Sequence, residues 1–94
     1  MLFHITHLHN WQTCPAHDSE KAKSTFGKML SNADASGVKL HSAFIDPPAH
    51  TIFMIVEAND AKQLELFLDP VFELGSAEIR PVSNALDVLD RRTK

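Results

Sequence analysis

Short apolar runs with alternating faces mark four segments of the chain as β-strands. These segments are residues 2–9, 38–46, 51–58 and 77–82, and most are bounded by glycine, proline, asparagine or serine. The third is the most apolar, because Ile52, Met54 and Val56 share one face while Phe53 and Ile55 share the other with Glu57. Because this strand is apolar on both sides, we expect both faces of its sheet to be covered.

Two stretches between the strands have helical spacing instead. Residues 18–36 place apolar side chains along one stripe, with Asp18 as the predicted N-cap and Gly37 as the predicted terminator. The second helix begins at Asp60, with Gln63 as its capping partner, and is interrupted at Asp69-Pro70. For the tail that begins at residue 84, the sequence predicts either a short helix or a segment that lies across a partner.

The resulting order, β-α-β-β-α-β, predicts an α+β, ferredoxin-like fold with a four-stranded antiparallel sheet and two helices on one face. We expect a single domain over residues 1–94, with a core of residues 2–83 and a tail of residues 84–94. The other face of the sheet needs a cover, and the simplest cover is a second copy. The sequence therefore predicts a sheet-to-sheet homodimer, a dimeric α/β barrel, with a cavity for a small-molecule ligand.

Composition narrows the classes of partner. The chain has 94 residues and a formal net charge of −3, and its basic residues form no stripe, which argues against nucleic acid. The N-terminus lacks a signal-peptide pattern, and no apolar stretch is long enough to span a membrane. One cysteine allows no internal disulfide, which is typical of a reducing cytoplasm. We therefore expect a cytoplasmic protein with no membrane or nucleic-acid partner.

Most of the reactive side chains lie in one short segment with the spacing H-x-H-x4-C-x2-H. Two histidines end the first strand, and the following loop is long enough to fold back to them. Imidazole and thiolate are ligands for zinc, nickel or copper. The predicted metal ligands are His7, His9, Cys14 and His17. The alternative is that these are polar residues at a strand end and a helix start, with Cys14 packed as a small apolar side chain.

Cys14 and the opposite strand face allow other chemistry. A thiol before Pro15, at the start of a helix, has a stabilised thiolate and could act as a nucleophile with His17 as its base. If Phe3 and Ile5 face the helices, His4 lies in the intersheet cavity as a general base, with Glu57 as its partner. His4 and Glu57 are accordingly the candidate catalytic residues.

Four segments resemble a small bacterial family of unknown function in the dimeric α/β-barrel superfamily: MLFHITH, TCPAH, PAHT and FLDP, at residues 1–7, 13–17, 48–51 and 67–70. The resemblance extends to about Val82 and implies the barrel fold. The first five residues are also similar to the start of muconolactone isomerases. Three functions stay open: a metal-binding protein, a cofactor-free isomerase- or monooxygenase-like enzyme, and an interaction domain without specific chemistry.

Overall fold

The computed structural model describes residues 1–93 and confirms the ferredoxin-like arrangement. Its strands are β1 (Leu2–His9), β2 (Lys39–Asp46), β3 (Thr51–Glu57) and β4 (Gly75–Val82). Its α-helices are α1 (Ser19–Ala22), α2 (Lys28–Ser31), α3 (Ala61–Leu68) and α4 (Ala85–Thr93). The strands form one antiparallel sheet in the order β2-β3-β1-β4, so β1 and β3 are the central pair.

The burial pattern of the central strands settles which face of the sheet meets the helices. On β1, Ile5, His7 and His9 are buried, whereas Leu8 is exposed. The predicted division of β3 is confirmed, since its buried residues include Ile52, Met54 and Val56. Side chains from α2, α3 and the adjoining loops complete the core: Met29, Ala33, Val38, Leu64, Phe67, Leu68, Val71 and Leu74.

The segment predicted as one helix over residues 18–36 is divided in the structure. A π-helical turn, Lys23–Gly27, separates α1 from α2, and a 3-10 turn at Asp34–Ser36 follows. The Thr25 hydroxyl donates to the Lys21 carbonyl at 2.6 Å, which gives that carbonyl a side-chain partner. A π-turn inserts one residue into a helix and often marks a functional site.

The predicted helix ends are largely confirmed. Asp18 accepts a hydrogen bond from the Lys21 amide at 3.1 Å, and Gly37 takes the left-handed conformation at φ 82°. At α3, Asp60 accepts from the Gln63 amide at 2.9 Å. The reciprocal bond runs one residue earlier than a standard capping box, because the Gln63 side chain accepts from the Asn59 amide at 2.7 Å.

Strand β4 begins earlier than predicted and is followed by helix α4. The strand begins at Gly75, two residues before the predicted start, and Gly75 lies opposite His9 of β1. Helix α4 follows β4, and its Leu86 is 75% exposed; the molecule as a whole measures 52 × 29 × 17 Å. Within residues 1–93, no helix is both long enough and apolar enough to cross a bilayer.

Candidate metal centre

The pairing of the two central strands brings two histidines together. Leu8 of β1 lies opposite Thr51 of β3, so the residues just beyond this pair, His9 and His50, are neighbours. The His9 amide donates to the His50 carbonyl at 3.1 Å, and the two imidazole centroids lie 5.3 Å apart in an edge-on arrangement. His50 has a positive φ of 50°, which is uncommon for a residue with a side chain and recurs at functional sites.

The loop after β1 places Cys14 beside these rings. The Asn10 side chain accepts hydrogen bonds from the amides of Gln12 at 2.9 Å and Thr13 at 3.0 Å, which closes a tight turn. The following Pro15 is buried, and its carbonyl accepts from the Asp18 amide at 3.1 Å. The chain therefore turns back toward the end of β1 before α1 begins, with Cys14 half-buried between the two turns.

His9, Cys14 and His50 form a group of possible metal ligands. One donor atom from each residue lies within 4.8 Å of the others. In a tetrahedral zinc site with standard bond lengths, such donors are about 3.3–3.6 Å apart. Side-chain adjustments of roughly 1 Å would therefore bring the three donors to one ion.

Burial leaves these imidazoles short of hydrogen-bond partners. His9 is only 6% exposed, and within the described part of the chain the Nδ1 atoms of His9, His50 and the neighbouring His7 are buried without a partner. A buried nitrogen lone pair without a donor is costly, and a metal ion would satisfy it. Burial, followed by the nearby His50 and His7 rings, lowers the pKa of His9 below its ordinary 6.5. His9 is therefore held in the neutral form that ligates metals.

His7 lies on the same strand face but is engaged elsewhere. Its Nε2 lies 3.2 Å from the Val71 carbonyl, to which the Nε2–H tautomer donates. Phe26 of the π-turn contacts both rings, with centroids 5.3 Å from His7 and 5.4 Å from His9. Burial lowers the pKa of His7 against the opposing effect of its backbone hydrogen bond. His7 therefore supports the core behind the candidate centre and is not part of the three-residue group.

The structure brings together two of the four residues predicted as ligands, His9 and Cys14, and adds His50. His17 is exposed one residue before the Asp18 cap, outside the group found among residues 1–93. Sequence spacing did not select His50, because His50 is distant from Cys14 along the chain. The signal that could have found it was the fold itself, since antiparallel β1 and β3 place the end of one beside the start of the other.

The candidate catalytic residues lie on the open face of the sheet, opposite the helices. His4 is half-buried, and its ring centroid lies 6.3 Å from that of Phe53. Glu57 is exposed, and its carboxylate lies 3.3 Å from the Nε2 of His41. Glu57 therefore pairs with His41 of the edge strand, while His4 packs against an aromatic ring.

Comparison with known proteins identifies a family and a fold. The sequence model of a family described as Domain of unknown function (DUF3303) matches residues 1–91, so the chain belongs to this family. A solved structure, that of SCO4226 from Streptomyces coelicolor A3(2), is similar with a TM-score of 0.55 and 19% identity. The similarity covers 87% of this chain and 98% of that one, and at this identity it supports the fold alone. No curated protein matches the sequence.

Proposed function

We propose that this member of the DUF3303 family binds a transition metal ion through His9, Cys14 and His50. The observation that carries the proposal is the approach of the three donors to within 4.8 Å from three separate parts of the chain. Two imidazole nitrogens and one thiolate suit zinc, nickel or copper and disfavour magnesium or calcium. The backbone hydrogen bond between His9 and His50 supports the proposal, because it fixes the two histidine backbones in advance.

Three protein ligands leave one position of a tetrahedral ion open. Sites that keep such a position bind water or a further ligand there, whereas structural zinc sites are closed by four protein ligands. The proposed site therefore belongs with ligand-binding or catalytic centres. A bound ion would polarise whatever donor occupies that position.

Metal titration of untagged protein tests the site directly. We expect wild-type protein to bind one Co²⁺ per chain with thiolate-to-cobalt charge-transfer absorption, because Cys14 would ligate the ion as thiolate. His50→Ala should weaken binding by at least about tenfold, and Cys14→Ser should remove the charge-transfer band.

His17→Ala is the matched control, since it removes an exposed histidine outside the group. Its affinity should equal that of the wild type. Equal weakening by His17→Ala and His50→Ala would contradict the proposed ligand set, and so would an unchanged affinity in His50→Ala.

We also propose that a second copy covers the open face of the sheet. Apolar side chains from all four strands are exposed there, namely Leu8, Phe44, Phe53 and Val82. Monomeric proteins rarely expose a contiguous apolar face of this kind. In such a dimer, His4 and Glu57 would line the space between the two sheets.

A further inference from the structure

A pocket opens between the first helical segment and the sheet, next to the candidate metal centre. Its volume is about 310 Å³. Ala22 and Phe26 line it from the helical side, and Ala43 and Ile52 line it from the sheet. By comparison, a buried apolar cavity of about 150 Å³ holds benzene in other proteins. The pocket is therefore large enough for a substituted aromatic ring or a short alkyl chain.

The lining of this pocket is apolar except at one place. None of its lining residues is Asp, Glu, Lys or Arg, and the two residues with ligand atoms are His9 and Cys14. Away from the proposed metal site, the pocket thus provides no charged side chain to pair with a carboxylate, phosphate or ammonium group, and transfer of such a group into this apolar part would be costly.

We propose that the pocket binds a small, uncharged hydrophobic molecule whose single soft donor, a thiol, completes the coordination of the metal. Coordination of the thiol requires the proposed metal site, so this part depends on the proposed function. Binding of the molecule's apolar part to the pocket does not require the metal. Two of the three proposed ligands line the pocket, so a molecule seated there would lie beside an ion held by His9, Cys14 and His50. On coordination the thiol would lose its proton to solvent, its sulfur would bond to the ion, and a water held at the open position would leave.

The apolar part of the proposal is tested on metal-free protein with a neutral fluorescent probe, N-phenyl-1-naphthylamine. We expect saturable binding of one probe per chain, because the lining is largely apolar and includes no Asp, Glu, Lys or Arg. Ala43→Phe adds a ring to the pocket wall on an exposed edge-strand position and should weaken probe binding by at least about tenfold.

Ala61→Phe, at an exposed position at the start of α3, makes the same substitution away from the pocket and should leave probe binding unchanged. Circular dichroism and thermal melting establish that both variants fold. Absence of probe binding, or equal binding to Ala43→Phe and wild type, would overturn the pocket as a ligand site.

The thiol is tested by displacing the probe with a pair of molecules of matched shape. Benzyl mercaptan and ethylbenzene differ mainly in a thiol replacing a methyl group. On Co²⁺-loaded protein, benzyl mercaptan should compete at least about tenfold more strongly than on metal-free protein and should add charge-transfer absorption. Ethylbenzene should compete equally in both forms.

The outcomes separate the two proposals. Metal binding with equal competition by benzyl mercaptan in both forms would overturn the coordinating thiol and leave the metal site standing. Probe binding without metal uptake would refute the proposed function, and the coordinating thiol with it, while supporting the apolar pocket.

Discussion

His7 and His9 are buried titratable groups in the core, and their protonation should link stability to pH. Burial lowers the pKa of each below the ordinary 6.5, so the unfolded chain binds protons more readily than the native protein as the pH falls through this range. The stability that depends on neutral imidazoles is therefore fully present above about pH 6.5 and is lost progressively below it.

Urea unfolding of metal-free protein between pH 5 and 8 measures this dependence. His7→Gln keeps a donor for the Val71 carbonyl and removes one titrating group, so the free energy of unfolding should fall less steeply below pH 6.5 than in wild type. His17→Ala should keep the wild-type slope, because His17 is exposed. A slope equally steep in His7→Gln and wild type would contradict the assignment of His7 as a buried neutral group.

Residue types predicted a metal centre at the end of β1, but spacing alone could not select all the ligands. Cys14 and His9 are near in sequence and also near in space. His50 requires knowledge of which strand pairs with β1, a tertiary property. His17 looked equivalent by spacing, yet the helix begins at the residues that follow it, and the Asp18 cap leaves it in solvent.

At the level of elements, Gly75 controls how closely β4 approaches β1. A Cβ at this position would collide with the Leu8 carbonyl and come within 2.9 Å of the His9 Cα. Gly75→Ala should therefore displace the end of β1 and destabilise the fold by about 2 kcal/mol or more. Chemical denaturation measures the loss.

Ser76→Ala, at the next and exposed position, should change stability by less than about 0.5 kcal/mol. Similar stability of Gly75→Ala and wild type would show that the strands separate at no cost.

Periodicity predicted the strands and the order of the elements because each segment buries one face strongly. The β3 faces, the Asp18 and Asp60 caps and the Gly37 terminator all follow from local side-chain chemistry. The π-turn could not be predicted, because a continuous apolar stripe fits an unbroken helix equally well. The turn depends on local hydrogen bonding at Thr25 and on close backbone approach, where a Cβ on Gly27 would lie 3.3 Å from the Ala22 carbonyl oxygen.

At the scale of the whole molecule, the single chain is more extended than its length requires. Its radius of gyration is 14.6 Å, whereas a compact domain of this length has about 12.4 Å. Helix α4 carries Leu86 and Leu89 in largely exposed positions. Together with the open sheet face, this outline fits a protein that completes its apolar cover by association.

Sedimentation equilibrium tests the proposed dimer. Wild-type protein should have twice the chain mass of 10.5 kDa. Phe53→Lys places a charge at the centre of the open face and should give a monomer, because burying an unpaired ammonium opposes association. Phe72→Lys changes an aromatic residue that is 76% exposed and lies outside the sheet, so the dimer should persist. A monomeric wild type would exclude the proposed interface.

The three proposed ligands differ in how the fold secures them, and this difference would affect how a metal ion enters and leaves the proposed site. His9 and His50 belong to neighbouring backbone segments joined by a hydrogen bond, whereas Cys14 stands in a loop between two turns. The histidine pair would capture an incoming ion first, and closure of the loop would then add sulfur. Loss of the ion would reverse this order, with sulfur leaving first, so the hydrogen bonds that hold the loop would govern how long the ion resides.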